Sequence, residues 1–228
     1  MNSKIFTVAI LFLTLSICVA LIGFVYVAAF VVAGESILPS RRDNTVEPTR
    51  GIWVENIYES EYLNLRFEAP ETWTVSTDVE IAMMIGIADE FLSDDSISDE
   101  AWAAAEYIID MLAVNPLSGT SVQIAFERLP RGSRLEAVGY IELAAVVLEL
   151  EEIRVNLGIS ETLNIGGYTW HQLGTEMDVA DVVIHGRQLV NIEGGFARII
   201  TITYFGDPAT IPNILDMFSP LVESPNGH

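Results

Sequence analysis

Two histidines in this 228-residue chain have a spacing that suggests a metal-binding site. His171 and His185 lie on neighbouring predicted strands, where a hairpin could bring their imidazole rings together. A catalytic zinc site needs three protein ligands, and Glu176 and Asp178 are the nearest candidates for the third. The chain has no His-Glu-x-x-His motif, and its single cysteine, Cys18, lies far away in the sequence. The pattern favours ordinary strand histidines and leaves metal binding an open question.

A run of acidic pairs offers a second candidate, a calcium site. An EF-hand loop needs oxygen ligands at its positions 1, 3 and 5, a glycine at 6 and a glutamate at 12. If the loop starts at Asp95, position 3 is Ile97 and position 6 is Glu100, so the pattern fails although Glu106 falls at position 12. Negative charge is also favourable at the start of a helix, which accounts for Asp99 and Glu100. We therefore interpret the run as capping and linker residues: Asp89-Glu90, Asp94-Asp95 and Asp99-Glu100.

Other catalytic signatures are absent from the sequence. Ser118 lies outside any G-x-S-x-G motif, and the glycine pairs 166–167 and 194–195 lack the spacing and the lysine of a phosphate-binding loop. The glycine pairs fit tight hairpin turns instead. We expect no catalytic residue and no cofactor. The four tryptophans are expected to anchor the core or an interface rather than to form a carbohydrate platform: Trp53, Trp73, Trp102 and Trp170.

All but one of the charged residues lie in residues 34–228. The net charge is −21, yet half of the residues are hydrophobic and the mean hydropathy is +0.38. Residues 34–228 hold all 32 acidic residues and ten of the eleven basic ones, which gives this part a net charge of −22. This composition excludes a polytopic membrane protein, a disordered acidic tail and a nucleic-acid binder that uses a basic patch.

The hydrophobicity is concentrated in residues 5–33, an uncharged run. As a helix it would be about 43 Å long, enough to span roughly 30 Å of hydrocarbon with some tilt. A cleaved signal peptide ending at Ala33 is an alternative, but its apolar region would be only about 7–15 residues long. A lipoprotein signal ending at Cys18 is disfavoured because Ile17 is not a small residue. We predict an uncleaved anchor that contacts the lipid bilayer through residues 5–33.

The orientation of this anchor is predicted from the few charged residues on either side of it. Lys4 precedes the run, while Arg41 and Arg42 follow it beside acidic residues, so the positive-inside count is nearly balanced. The short basic tail favours an N-terminus inside the cell. We therefore predict a single-pass cell-membrane protein whose main domain is extracytoplasmic.

The chain divides into four parts: an anchor (1–33), a linker (34–50), one folded domain (51–222) and a tail (223–228). Within the domain, Tyr58–Glu61 is predicted as a turn, and capping boxes at Thr77–Glu80 and Ser133–Glu136 predict helix starts. The fold class is α+β, with an antiparallel sheet covered by helices. The predicted strands are 52–57, 62–67, 121–129, 162–165, 168–176, 182–191 and 196–205, and the predicted helices are 79–91, 98–112, 136–151 and 207–218.

The segment Tyr58–Trp73, an aromatic-led hairpin that ends in a proline and then a tryptophan, resembles the opening of uncharacterised exported Firmicute proteins. The continuation from Asp78 to Pro116 and the closing β-meander are similar in order and length, so the resemblance covers nearly all of residues 51–222. The order of elements is like that of the PsbP-like α/β/α sandwich. This resemblance implies a binding or assembly role and brings no catalytic residues with it. Members of this family are often lipoproteins, whereas this chain has an apparent spanning helix.

These observations predict a membrane-anchored extracytoplasmic protein with a non-catalytic binding or assembly domain. A protein of the cell envelope is the expected partner, and nucleic acid is excluded as one. Two alternatives stay open: a metal-dependent hydrolase that uses acidic residues with His171 or His185, and a sensor or regulator of an envelope complex.

Overall fold

The computed structural model describes residues 47–85, 92–93, 96–97, 105, 107–130, 132–150, 153–156, 161–179, 182–205 and 211–221. Within these ranges the chain forms fourteen strands and three helices. The strands are β1 (Ile52–Val54), β2 (Ile57–Ser60), β3 (Leu65–Glu68), β4 (Thr74–Val75), β5 (Leu92–Ser93), β6 (Ser96–Ile97), β7 (Tyr107–Val114), β8 (Ser121–Arg128), β9 (Arg154–Asn156), β10 (Thr162–Ile165), β11 (Tyr168–Val179), β12 (Val182–Glu193), β13 (Phe196–Phe205) and β14 (Phe218–Pro220). The helices are α1 (Asp78–Ile85), α2 (Ala137–Leu150) and α3 (Ile211–Leu215).

Most of these strands belong to two antiparallel sheets. The large sheet has the order β10-β11-β12-β13-β8-β7-β4, and β9 also pairs with β11. The small sheet has the order β1-β2-β3-β14, so the last described strand pairs with one near the start of the domain. β5 and β6 pair with each other as a separate antiparallel two-stranded sheet.

The two faces of the large sheet are covered by different layers. One face packs against the small sheet, in a core that includes Tyr58, Phe67, Phe126, Trp170 and Ile200. The other face packs against α2, in a core that includes Tyr140, Leu148, Leu173, Val190 and Ala197. In the described residues the layers are therefore small sheet, large sheet and helix. The prediction of an antiparallel sheet is confirmed, but only one of its faces is covered by a long helix, α2. The other face is covered mainly by the small sheet, with Ile214 of α3 in the same core.

Local sequence signals account for several element boundaries. The capping box at the start of α1 is formed, since the Thr77 amide donates to Glu80 Oε2 at 2.8 Å and the Glu80 amide to Thr77 Oγ1 at 3.3 Å. The predicted hairpin turns also occur, with positive φ at both glycines of the 166–167 and 194–195 pairs. The strands predicted from residue 121 and from residue 162 onwards are confirmed, as is the helix that the second capping box predicts.

The predicted helix over residues 98–112 is wrong where the structure describes it. Residues 107–114 form β7, an interior strand of the large sheet between β8 and β4. Seven of its eight residues are buried because the strand is covered on both faces. Burial on both faces removes the alternation of apolar and polar residues, and a short apolar run then has no period that separates strand from helix.

Two further predictions need correction. The predicted turn at Tyr58–Glu61 lies mostly within β2, whose Tyr58 and Ser60 point inward and are fully buried, and the turn falls instead between β2 and β3. The predicted terminal helix is shorter than expected, because α3 ends at Leu215 and Phe218 begins β14. Phe218 pairs with Phe67 and contacts its ring, so sheet pairing prevails over helical spacing at this point.

None of the helices within the described ranges is both long and apolar enough to cross a membrane. The predicted anchor at 5–33, the predicted linker up to residue 46 and the acidic pairs between 89 and 100 lie outside the described residues.

Candidate functional site

The structure does not bring His171 and His185 together. On the β11–β12 pair, His171 faces Val190 and His185 faces Glu176. The two histidines are thus five register positions apart along the ladder, roughly 17 Å at about 3.3 Å per residue. Because side chains alternate between the faces of a strand, this odd separation also places them on opposite faces. They cannot share one metal ion.

Each predicted partner of these histidines has another contact. Glu176 Oε2 lies 3.6 Å from His185 Nδ1, but Glu176 Oε1 pairs with Arg154 at 2.7 Å. The same arginine pairs with Asp178 at 2.7 Å, and the His185 ring stacks on Tyr204 with 5.1 Å between ring centroids. Among the described residues, no group of three or more His, Cys, Asp or Glu side chains surrounds a possible metal position.

The described tryptophans pack into the core between the two sheets. Trp170 is completely buried, and its indole N–H donates to the Ile165 carbonyl at 3.0 Å. Trp53 and Trp73 are partly buried against the same core, and each contacts the Phe67 ring. Trp102 lies outside the described residues. The interpretation of the three described tryptophans as core anchors is confirmed.

Asp110 is a buried carboxyl group that the sequence analysis did not single out. β7 pairs with β8 on both sides of residue 110, where Ile109 faces Ala125 and Met111 faces Ile124. Asp110 therefore has no partner of its own in the ladder and is the extra residue of a β-bulge. The bulge directs its side chain towards the small sheet. There the Tyr58 hydroxyl donates to Oδ2, and the Gly51 amide donates to both carboxyl oxygens at 3.1 and 3.2 Å.

The surroundings of Asp110 shift its proton equilibrium. Burial raises the pKa of Asp110 from 3.8 to about 6, and the Asp78 carboxylate adds to this rise. The hydrogen bonds from Tyr58 and Gly51 and the charge of Arg50 act in the opposite direction. The pKa of the Tyr58 hydroxyl is itself raised well above 10.0, first by burial and then by the Asp110 charge, so Tyr58 stays protonated and donates. Arg50 and Asp78 form an ion pair next to this group.

Glu127 and Tyr140 connect the large sheet to the helix layer. Glu127 lies on β8, is 1% exposed, and accepts a hydrogen bond from the Tyr140 hydroxyl of α2. Tyr140 belongs to the core under the helix. A polar pair at this position fixes which turn of the helix faces which strand, because a misplaced helix would leave a buried carboxyl group with one donor fewer.

Arg198 is the third buried charged residue and is held between two aromatic rings. Its guanidinium carbon lies 4.4 Å from the ring centroids of both Tyr62 and Tyr168. Nη1 pairs with Glu193 at 2.7 Å, and the side chain of Arg198 is only 5% exposed. Tyr62 belongs to the turn after β2, whereas Arg198 lies on β13 of the large sheet, so this stack also joins the two sheets.

The three buried charged residues therefore share one role in the described part of the chain. Each one lies on the large sheet and contacts a tyrosine from another layer or loop: Asp110 with Tyr58, Glu127 with Tyr140, and Arg198 with Tyr62. For Asp110 and Arg198 the sequence carries a signal, a lone charged residue inside an apolar segment, since such residues are buried only when paired. Glu127 is followed directly by Arg128, so it lacks this signal.

Comparisons with known proteins find similar solved structures but no similar sequence family. No family model matches the chain, and no curated protein matches it. Cyanobacterial PsbP (CyanoP) from Synechocystis sp. PCC 6803 is similar at 12% identity and a TM-score of 0.41, over 81% of this chain and 99% of that one. LpqN, involved in cell envelope biogenesis of Mycobacterium tuberculosis, is similar at 10% identity and a TM-score of 0.35, over 68% of this chain and 82% of that one.

A protein of Bacteroides thetaiotaomicron VPI-5482 is similar at 11% identity and a TM-score of 0.35, over 70% of this chain and 46% of that one. A PsbP protein is thus among the solved structures to which this chain is similar. The described residues themselves define a mostly antiparallel two-sheet β domain with a few helices.

Proposed function

We propose that this chain is a membrane-anchored extracytoplasmic protein whose folded domain is a non-catalytic binding or assembly module of the cell envelope. Residues 5–33 serve as the anchor, and the domain that follows carries nearly all of the charge. The net charge of residues 34–228, −22, keeps the domain soluble and repels it from anionic lipid surfaces. The domain is therefore held near the membrane by the anchor and not by its own surface.

The observation that carries the non-catalytic part of this proposal is the use of the buried charged groups. Asp110, Glu127 and Arg198 each contact a tyrosine from another part of the fold, so their polar atoms connect layers. Catalytic groups, by contrast, converge on a shared cleft where a substrate can reach them. These three face different neighbours: the small sheet, α2, and the stack of Tyr62 and Tyr168.

Affinity capture tests this function. The tagged full-length chain is purified from detergent-solubilised membranes next to a tagged chain of residues 1–50, which retains the anchor and linker but lacks the domain. We expect an envelope protein to be recovered in constant ratio with the full-length chain only, and to bind the purified full-length chain again in a saturable manner. Recovery of a specific small molecule that the protein converts, with no protein partner, would overturn the proposal.

A further inference from the structure

Residues 47–51, here called the lead-in segment, are attached to the rest of the domain at three points. Glu47 forms a bidentate pair with Arg128 of β8, at 2.8 and 3.0 Å. Arg50 pairs with Asp78 at the start of α1. The Gly51 amide donates to the Asp110 carboxyl group on the bulge of β7. This segment directly precedes β1 and is the part of the described chain closest in sequence to the predicted anchor.

The contact at Gly51 is the most buried of the three. Asp110 is only 8% exposed, whereas the side chains of Arg50 and Asp78 are 27% and 28% exposed. A Cβ atom on residue 51 would collide with the Tyr58 ring, so the backbone passes directly over the tyrosine that also donates to Asp110. One carboxyl group therefore ties the lead-in segment and the small sheet to the large sheet.

We propose that Asp110 is the proton-binding group of a latch that holds the lead-in segment closed against the large sheet, and that loss of its proton loosens the latch. The groups that face this carboxyl group are Tyr58 from β2, Gly51 and Arg50 from the lead-in segment, and Asp78 from α1. When the segment lifts away, the carboxyl group loses the Gly51 donor and its cover, and water can solvate its charge.

The direction of the effect follows from linkage. In the closed latch the pKa of Asp110 is about 6, whereas a solvated carboxyl group of an open latch has the ordinary value of 3.8. Between these values the closed form binds a proton that the open form does not, so acid favours closure. This stabilisation is complete below the open-state pKa and is lost as the pH rises through about 6. Opening should increase about tenfold between pH 5 and pH 7.

Hydrogen exchange of the Gly51 amide measures this opening. The full-length chain in detergent micelles is compared at pH 5 and pH 7, with each rate corrected for the intrinsic exchange rate. We expect about tenfold more opening at pH 7 in the wild type and no pH dependence in Asp110→Asn, which keeps the shape of the side chain without its titration. Equal opening of the wild type at the two pH values would overturn the proposal. A dependence that survives Asp110→Asn would do so too, because that variant lacks the carboxyl group to which the proposal assigns the proton.

Two further variants make the test independent of how well Asp110→Asn folds. Tyr58→Phe removes a hydrogen bond that lowers the pKa of Asp110, so the pH midpoint of opening should move upward. An unchanged or lower midpoint would contradict the latch. Glu47→Gln is the matched control, because Arg128 lowers the pKa of Glu47 below 4.5 and its titration falls outside the window. This variant should open more at both pH values and keep the tenfold ratio, and loss of the ratio would count against Asp110 as the proton-binding group.

Discussion

Replacing Gly166 with alanine is expected to lower the free energy of unfolding by about 3 kcal/mol. Gly166 has a φ of +64°, and a Cβ atom there would lie 2.5 Å from the Leu63 carbonyl oxygen and 2.7 Å from that of Asn64. These oxygens belong to the turn between β2 and β3, so the β10–β11 turn contacts the small sheet through backbone atoms that cannot move aside alone. Urea denaturation of the purified protein measures the loss.

The adjacent glycine provides a matched control in the same turn. Gly167 has a φ of +84°, but the nearest atom to its added Cβ would be Asn64 Nδ2 at 3.9 Å, an ordinary contact. Gly167→Ala should therefore cost only the strain of a positive φ, about 1 kcal/mol. Equal losses for the two variants would show that the close approach between the two turns contributes nothing to stability.

Tyr140→Phe has the next largest expected effect, a loss of about 2 kcal/mol in the free energy of unfolding. The phenol of Tyr140 donates to Glu127, and both residues are almost completely buried. Phenylalanine keeps the ring in the core under α2 and removes only the hydroxyl, so the buried carboxyl group has one donor fewer. Chemical denaturation at pH 7 measures the loss.

Tyr62→Phe is the matched control for this variant. The Tyr62 hydroxyl is also buried but makes no hydrogen bond to any described residue, while its ring lies beneath the Arg198 guanidinium. The phenylalanine ring can keep that stack, and no hydrogen bond is lost. We expect a change within about 0.5 kcal/mol. A loss at Tyr62 as large as at Tyr140 would mean that the hydroxyl pairing to Glu127 is not what stabilises the helix on the sheet.

The parts of the fold that the sequence predicts are those with local signals. The glycine pairs at 166–167 and 194–195 require positive φ and mark two hairpins, and the box at Thr77–Glu80 starts a helix through its own side chains. β7 was missed because its neighbours in the sheet, and not its own residues, make it a strand. Its run of buried apolar residues has the same composition as a buried helix.

The candidate site is harder to predict for the same reason. Asp110 is one acidic residue in an apolar segment, and its partners Tyr58 and Gly51 lie 52 and 59 residues away in the sequence. Only the bulge in β7, which depends on the pairing with β8, turns the side chain towards them. The histidines show the opposite case. Their sequence spacing suggested proximity, but the register of β11 and β12 places them five positions apart.

The claim that the domain is held on the outer side of a membrane is tested most directly by labelling in intact cells. The chain has a single cysteine, Cys18, so Leu117→Cys in a Cys18→Ser background gives one reporter thiol. Leu117 is 88% exposed at the tip of the turn between β7 and β8, and Val146→Cys, 56% exposed on α2, serves as a second position. A membrane-impermeant maleimide should label both positions in intact cells as fully as in lysed cells. Labelling that appears only after lysis would contradict the extracytoplasmic assignment.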